Sequence, residues 1–193
     1  MQRKVKEIQV KIKGVTPLIC NRFTEEEAMN ATKGRRSSAG AKDSGTEREI
    51  AEKKLYRGVD NKTLIVPQPN VMRCIAEGGR FHKIGKKQVT TQRESLMYAC
   101  LDIPCAEIPI KHKQPWHVDT RPIVNPQTQG RRLAHRPMFD DWELSFTLLL
   151  DSDIMHQDLL RAIVDDAGYR VGLGDFRPAR SGPYGRFNVT LWK

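Results

Sequence analysis

The chain has 193 residues, 33 of them lysine or arginine against 23 acids, and so carries a formal net charge of +10 with a hydrophobic content of 38%. An excess of cations on this scale makes nucleic acid the first candidate for a polyanionic partner, with solubility the plainer reading of the same charge. No run approaches the roughly 20 apolar residues of a membrane-spanning helix, and no long basic amphipathic helix suits a membrane surface, so no membrane partner is expected.

Cys20, Cys74, Cys100 and Cys105 are scattered, without paired C-x-x-C spacings. That pattern argues against zinc and implies no metal or cofactor. The opening MQRKVKEIQV lacks an apolar signal core, and the thiols fit buried small hydrophobes. A reducing, cytoplasmic compartment is the expectation.

In chain order, Ile8, Val10 and Ile12 alternate with Gln9, Lys11 and Lys13, the period of a strand with one apolar and one basic face. Pro17 turns the chain after it. Thr24 followed by Glu25 to Glu27 reads as a capping box, and Thr46 to Glu49 repeats the device. Residues 24–58 are thus expected as two short helices joined by the polar tether KGRRSSAGAKDSG, in which Arg35 and Arg36 can grip phosphate.

A short apolar run, Thr63 to Val66, precedes Pro67 and Pro69, and NVMRCIAEGGRF then reads as a helix. Asn70 is its expected N-cap, Met72, Ile75 and Ala76 its buried stripe, and Gly78-Gly79 its stop. Arg73 lies inside this helix. Directly after come Arg80, Lys83, Lys86 and Lys87 around Gly85. The spacing G-x-x-x-x-G-K-[ST] is absent, so these cations point to phosphate contact and not to nucleotide hydrolysis.

Residues Ser95 to Ile110 should contain a second strand, with Pro104 and Pro109 making it an edge or bulged one. Residues 111–141 set Lys111, Lys113, Arg121, Arg131, Arg132 and Arg136 among Trp116 and Phe139, and NPQTQG is turn chemistry. Their natural shape is a long basic hairpin. Leu144, Phe146 and Leu148 alternate as a third strand.

Near the end, Leu159, Leu160, Ile163, Val164 and Ala167 fill one stripe of an amphipathic helix that Gly168 can end. GLGDFRPARSGPYGRF follows, from Gly172 to Phe187. Glycines let its backbone approach a ligand and prolines keep it from becoming helical. Exposed amides between Arg177, Arg180 and Arg186 would donate to phosphate oxygens. Phe187, Val189 and Leu191 alternate with Asn188, Thr190 and Trp192 as a closing strand.

A helix, a loop with Gly172, Gly174, Arg177, Gly182, Gly185 and Arg186 at these positions, and a last strand resemble the end of the RAMP superfamily domain. That superfamily comprises RNA-binding proteins of CRISPR effector complexes. Asp175, Pro178 and Pro183 depart from its usual, more purely glycine-arginine loop. Arg73, in the first helix, occupies the place of an arginine in the superfamily's backbone subunits.

The resemblance implies an α+β fold with a ferredoxin-like (RRM-like) βαββαβ core in a single domain over residues 1–193, with insertions at 24–58 and 111–141. In the backbone subunits the protrusion between the second and third strands is a thumb that kinks guide RNA, and residues 111–141 fall in that slot. The implied function is a non-catalytic subunit that coats a guide RNA, self-associates and joins other effector subunits. Affinity would come mainly from counterion release, aided by stacking on Trp116, Tyr184 or Phe176.

The residues expected to carry binding are Arg177, Arg180, Arg186 and Tyr184 in the loop and Arg121, Arg131, Arg132 and Arg136 in the protrusion. Arg73, Arg80, Lys83, Lys86 and Lys87 follow, then Arg35 and Arg36. One rival is a metal-independent RAMP endoribonuclease using His82, His112, His117, His135 or His156. Another is a single-stranded DNA-binding protein of a mobile element, with the same electrostatics. Asp119, beside Arg121, reads as half of a local ion pair.

Overall fold

The computed structural model describes residues 4–24, 45–124 and 130–193. The helix expected after Thr24, the tether with Arg35 and Arg36, most of the NPQTQG turn and the side chain of Arg132 lie outside the described residues.

Strand β1 (Val5–Gly14) is central because its alternation buries Ile8, Val10 and Ile12, at 1%, 2% and 0% exposure. The chain then passes through the two-residue strand β2 (Leu18–Ile19) to helix α1 (Glu47–Lys53). Thr46 accepts from the Glu49 amide while Glu49 accepts from the Thr46 amide, the capping box the sequence calls for.

Strand β3 (Ile65–Pro67) leads into helix α2 (Gln68–Gly78), which starts two residues before the expected Asn70. Pro69 fits in the first turn because the amide it lacks has no intrahelical partner there. Helix α2 ends at Gly78 with Gly79 as its C-cap, the stop expected from sequence, though without a left-handed turn: both keep helical angles, and the chain runs on as a 3-10 turn over Gly79–Phe81. Their role is contact. A Cβ on Gly78 would lie 2.7 Å from the Ile163 carbonyl oxygen.

Strands β4 (Lys83–Ile84) and β5 (Lys87–Gln88) form a small hairpin turning at Gly85 and Lys86. The expected second strand is broken into pieces. A helical turn α3 (Met97–Cys100) runs into β6 (Leu101–Asp102), and β7 (Glu107–Pro109) pairs with β3 instead. Pro104, between the pieces, has no amide to continue the ladder. Lys111 regains the sheet edge by exchanging backbone hydrogen bonds with Glu143, at 2.9 and 2.8 Å.

Strands β8 (His117–Val124) and β9 (Arg131–Phe139) form the basic hairpin, and β9 also pairs with β2. Strand β10 (Glu143–Asp151) returns alongside β1 with Leu144, Leu148 and Leu150 fully buried. Helix α4 (Gln157–Asp166) follows, and its stripe of Leu160, Ile163 and Val164 is buried. Gly168 does not cap α4. It lies within a π turn, Ala167–Val171, where a Cβ would meet the Phe187 carbonyl oxygen at 2.3 Å.

Strand β11 (Phe187–Trp192) closes the chain on the other side of β1. Its alternation breaks at a bulge: Lys11 faces Leu191, but Ile12 faces Val189. Trp192, opposite Val10, therefore packs on the core with Val189.

The main sheet has the order β11-β1-β10-β6, with all neighbours antiparallel. The apolar residues of α2, α4 and one face of this sheet belong to a single core cluster. The other face carries Lys11 and Lys13, whose ammonium groups lie 2.7 and 4.0 Å from Glu143. The hydrogen bond from Lys11 holds the Glu143 carboxyl below its ordinary pKa.

Candidate nucleic-acid interface

The glycine-rich loop is held by backbone geometry that only glycine meets easily. Gly172, Gly174 and Gly185 have φ of 76°, 75° and 71°. A Cβ on Gly182 or Gly185 would come within 1.8 Å of a carbonyl oxygen, that of Phe176 or Leu173. Phe176 and Ser181 also have positive φ, 48° and 58°, a strained choice for side-chain-bearing residues.

These constraints fold the loop onto itself and onto β2. The amide of Leu173 donates to Gly185, Asp175 to Ile19, Tyr184 to Phe176 and Gly185 to Pro17, at 2.8 to 3.2 Å. Against the expectation of amides exposed to a ligand, these amides are spent internally. Contact from this part of the loop therefore falls to side chains.

The hairpin docks beside the loop through charge. Arg136 on β9 donates to Asp119 across the strand pair at 3.0 Å and to Asp175 of the loop at 2.8 Å. Asn21, after β2, donates to the same Asp175 oxygen at 3.0 Å. Arg121 bonds Asp119 at 2.6 Å, the local pair expected from sequence, and this bond raises the arginine's pKa. It also donates to the Tyr184 hydroxyl, and its guanidinium lies 4.7 Å from the centroid of that ring and 5.8 Å from that of Phe176.

Two clefts flank this junction. One, of about 250 Å³, lies between β2, the first half of α2 and the loop, and is lined by Cys20, Asn70, Arg73, Gly174 and Arg177 among others. The second, of about 280 Å³, lies between α1, the hairpin and the loop, with Ile50, Leu133, His135 and Phe176 in its walls. Asn21, Asp175 and Arg180 line both. Arg180 is exposed, so its cation is free to meet a ligand bound in either.

The other expected residues are placed differently from one another. Arg177 is turned inward, donating to the Gly174 carbonyl at 3.0 Å and lying 3.7 Å from Glu77. Arg73 shares Glu77 at 3.1 Å but keeps 63% of its side chain exposed at the first cleft. Arg186 is half-buried over the ring of Tyr169, 5.0 Å from its centroid. Arg136 is buried in its ion pairs, whereas Arg131 is exposed where β9 begins. Arg80, Lys83, Lys86 and Lys87 are exposed beyond the far end of α2, outside both clefts.

Asn21, Tyr56 and Asn70 join the first cleft without having been singled out for binding in the sequence. Asn21 offers no local signal, since its place depends on β2 pairing with β9. The histidines are dispersed: His82 pairs with Asp166 at 2.9 Å, His117 with Asp140 at 3.3 Å, and His156 caps α4. Among the described residues no three His, Cys, Asp or Glu side chains gather as a metal would require. No described helix is long and apolar enough to cross a membrane.

No family model matches the sequence, and no curated protein matches it. Solved structures do match in fold. One neighbour is a chain in the cryo-EM structure of the Type III-B Cmr-beta bound to cognate target RNA, with a TM-score of 0.58 at 10% identity. The likeness covers 98% of this chain and 60% of that one, so this chain spans about three fifths of its neighbour's length.

Proposed function

We propose that this protein is a non-catalytic RNA-binding subunit that coats a guide RNA and associates with further copies of itself in a CRISPR-type ribonucleoprotein. The observation that carries the reading is the junction of hairpin and glycine-rich loop, where two clefts share the exposed Arg180. A strand of nucleic acid laid across this ridge meets a cation between two grooves, with the Tyr184 and Phe176 rings beside it.

The main sheet supports a ferredoxin-like core. Numbering only its own strands, the order is 4-1-3-2, with α2 between the first and second strands and α4 between the third and fourth, as βαββαβ requires. The fold likeness to a chain from an RNA-bound Cmr-beta structure points the same way. The hairpin falls between the second and third strands, the slot of a thumb, and the one core cluster among the described residues supports a single domain over 1–193.

The test is to purify the chain at low and high salt and follow nucleic acid content together with particle mass. Nuclease-resistant RNA eluting with a regular ladder of oligomers is the expected result. A monomer that binds no RNA at low salt overturns the reading, and equal affinity for RNA and DNA of one sequence redirects it to single-stranded DNA.

A further inference from the structure

A second cationic face lies away from the two clefts. Tyr169 in the π turn and Phe81 at the end of the 3-10 turn are exposed at 65% and 46%. Each has an arginine over it: Arg186 lies 5.0 Å from the Tyr169 centroid and Arg170 lies 4.8 Å from that of Phe81. The turn bearing Phe81 runs directly into the β4–β5 hairpin, which exposes Lys83, Lys86 and Lys87.

The carboxylate within this cluster, Asp166, is already engaged by His82 at 2.9 Å and Arg170 at 2.8 Å. The hairpin cations, in contrast, stand out in solvent. Arg186 links the face to the glycine-rich loop, of which it is the last arginine.

We propose that this face is a second contact surface for single-stranded RNA, in which Tyr169 and Phe81 stack bases and Lys83, Lys86 and Lys87 hold phosphates. The chemistry favours a flexible polyanion over a protein patch: exposed rings accept any base, and the lysines meet phosphates without fixed geometry. The inference rests on the RNA reading above and extends it from the clefts to the opposite end of α2.

The experiment compares wild type with Tyr169→Ala, Tyr169→Trp and the triple change Lys83→Ala, Lys86→Ala, Lys87→Ala, titrating a fluorescein-labelled oligouridylate at several salt concentrations. Tyr169→Ala should weaken binding on the order of tenfold, while Tyr169→Trp keeps it. The triple variant should flatten the dependence of log K on log salt by about 2, at roughly 0.7 for each phosphate left without its lysine. Unchanged melting temperatures show that these exposed positions leave the fold intact.

If wild type binds but all variants match it in affinity and slope, the second face is overturned and the cleft reading stands. If wild type itself fails to bind, both fall. A change in sedimentation of the RNA-free protein with RNA affinity untouched assigns the face to contacts between copies, and also overturns the proposal.

Discussion

Asp119 and Arg136 face each other in the register of the β8–β9 hairpin and meet at 3.0 Å, with side chains only 5% and 8% exposed. A pair this dry is costly to leave half-made. Asp119→Ala strands a buried guanidinium on Asp175 alone, and a loss of about 3 kcal/mol is expected, at the lower end for such breaks. Urea denaturation of both single alanine variants and the double should show the double costing clearly less than the sum. Simple additivity would mean that the two are not coupled.

Glycine positions in the loop and the small hairpin should separate sharply. Gly185→Ala and Gly174→Ala would force a Cβ against a carbonyl oxygen, at 1.8 and 2.3 Å, on top of positive φ. Both should destabilise by several kcal/mol or displace the loop, and with it the proposed RNA binding. Gly85→Ala also has positive φ, 61°, but nothing stands within 4 Å. Its cost should be about 1 kcal/mol, close to the left-handed penalty alone.

Arg180 and Arg177 sit three residues apart and should behave as opposites. Arg180→Ala removes an exposed cation shared by both clefts, so on the proposed function affinity for RNA should fall and the salt dependence flatten by about 0.7, with the melting temperature unmoved. Arg177→Ala withdraws the donor to the Gly174 carbonyl and one of the two arginines at Glu77. It should lower the melting temperature first. A purely electrostatic role for both would give identical salt slopes and no thermal shift.

Burial pushes the Cys20 and Cys74 thiols up to about 12 and Cys100 to about 11, from an ordinary 9.0. Native protein near pH 8 should therefore expose one readily alkylated thiol, the half-buried Cys105, and all four cysteines only after denaturation. The sign of the pH effect follows. Above about pH 9 the unfolded chain releases thiol protons that the folded chain keeps, so stability falls as pH rises toward 12. Mass spectrometry of the alkylated protein identifies the reactive site.

Three strands of the main sheet and its two helices were legible because each is a local period. Ile8, Val10 and Ile12, or Leu160, Ile163 and Val164, declare their buried face within a few residues. What sequence alone missed depends on distant neighbours. Gly168 looks like a helix stop but lies inside the π turn, and Gly78, which does end α2, is like it small because another segment's carbonyl lies against it. The loop's three arginines look equivalent in a string, and only the fold separates Arg177, turned to Gly174 and Glu77, from the exposed Arg180. The second strand breaks because Pro104 interrupts it and β3 captures β7.

The π turn closes with the Gly172 amide donating back five residues to the Ala167 carbonyl, where an α-helix would reach back four. That extra residue sets a phase. Deleting one residue from the turn would restore ordinary helical register and swing the start of the loop by about a quarter of a turn around the axis of α4. The bearing at which the loop leaves the core is thus fixed by a counting step upstream of its first glycine, and a shift there would misalign every side chain beyond it without altering one of them.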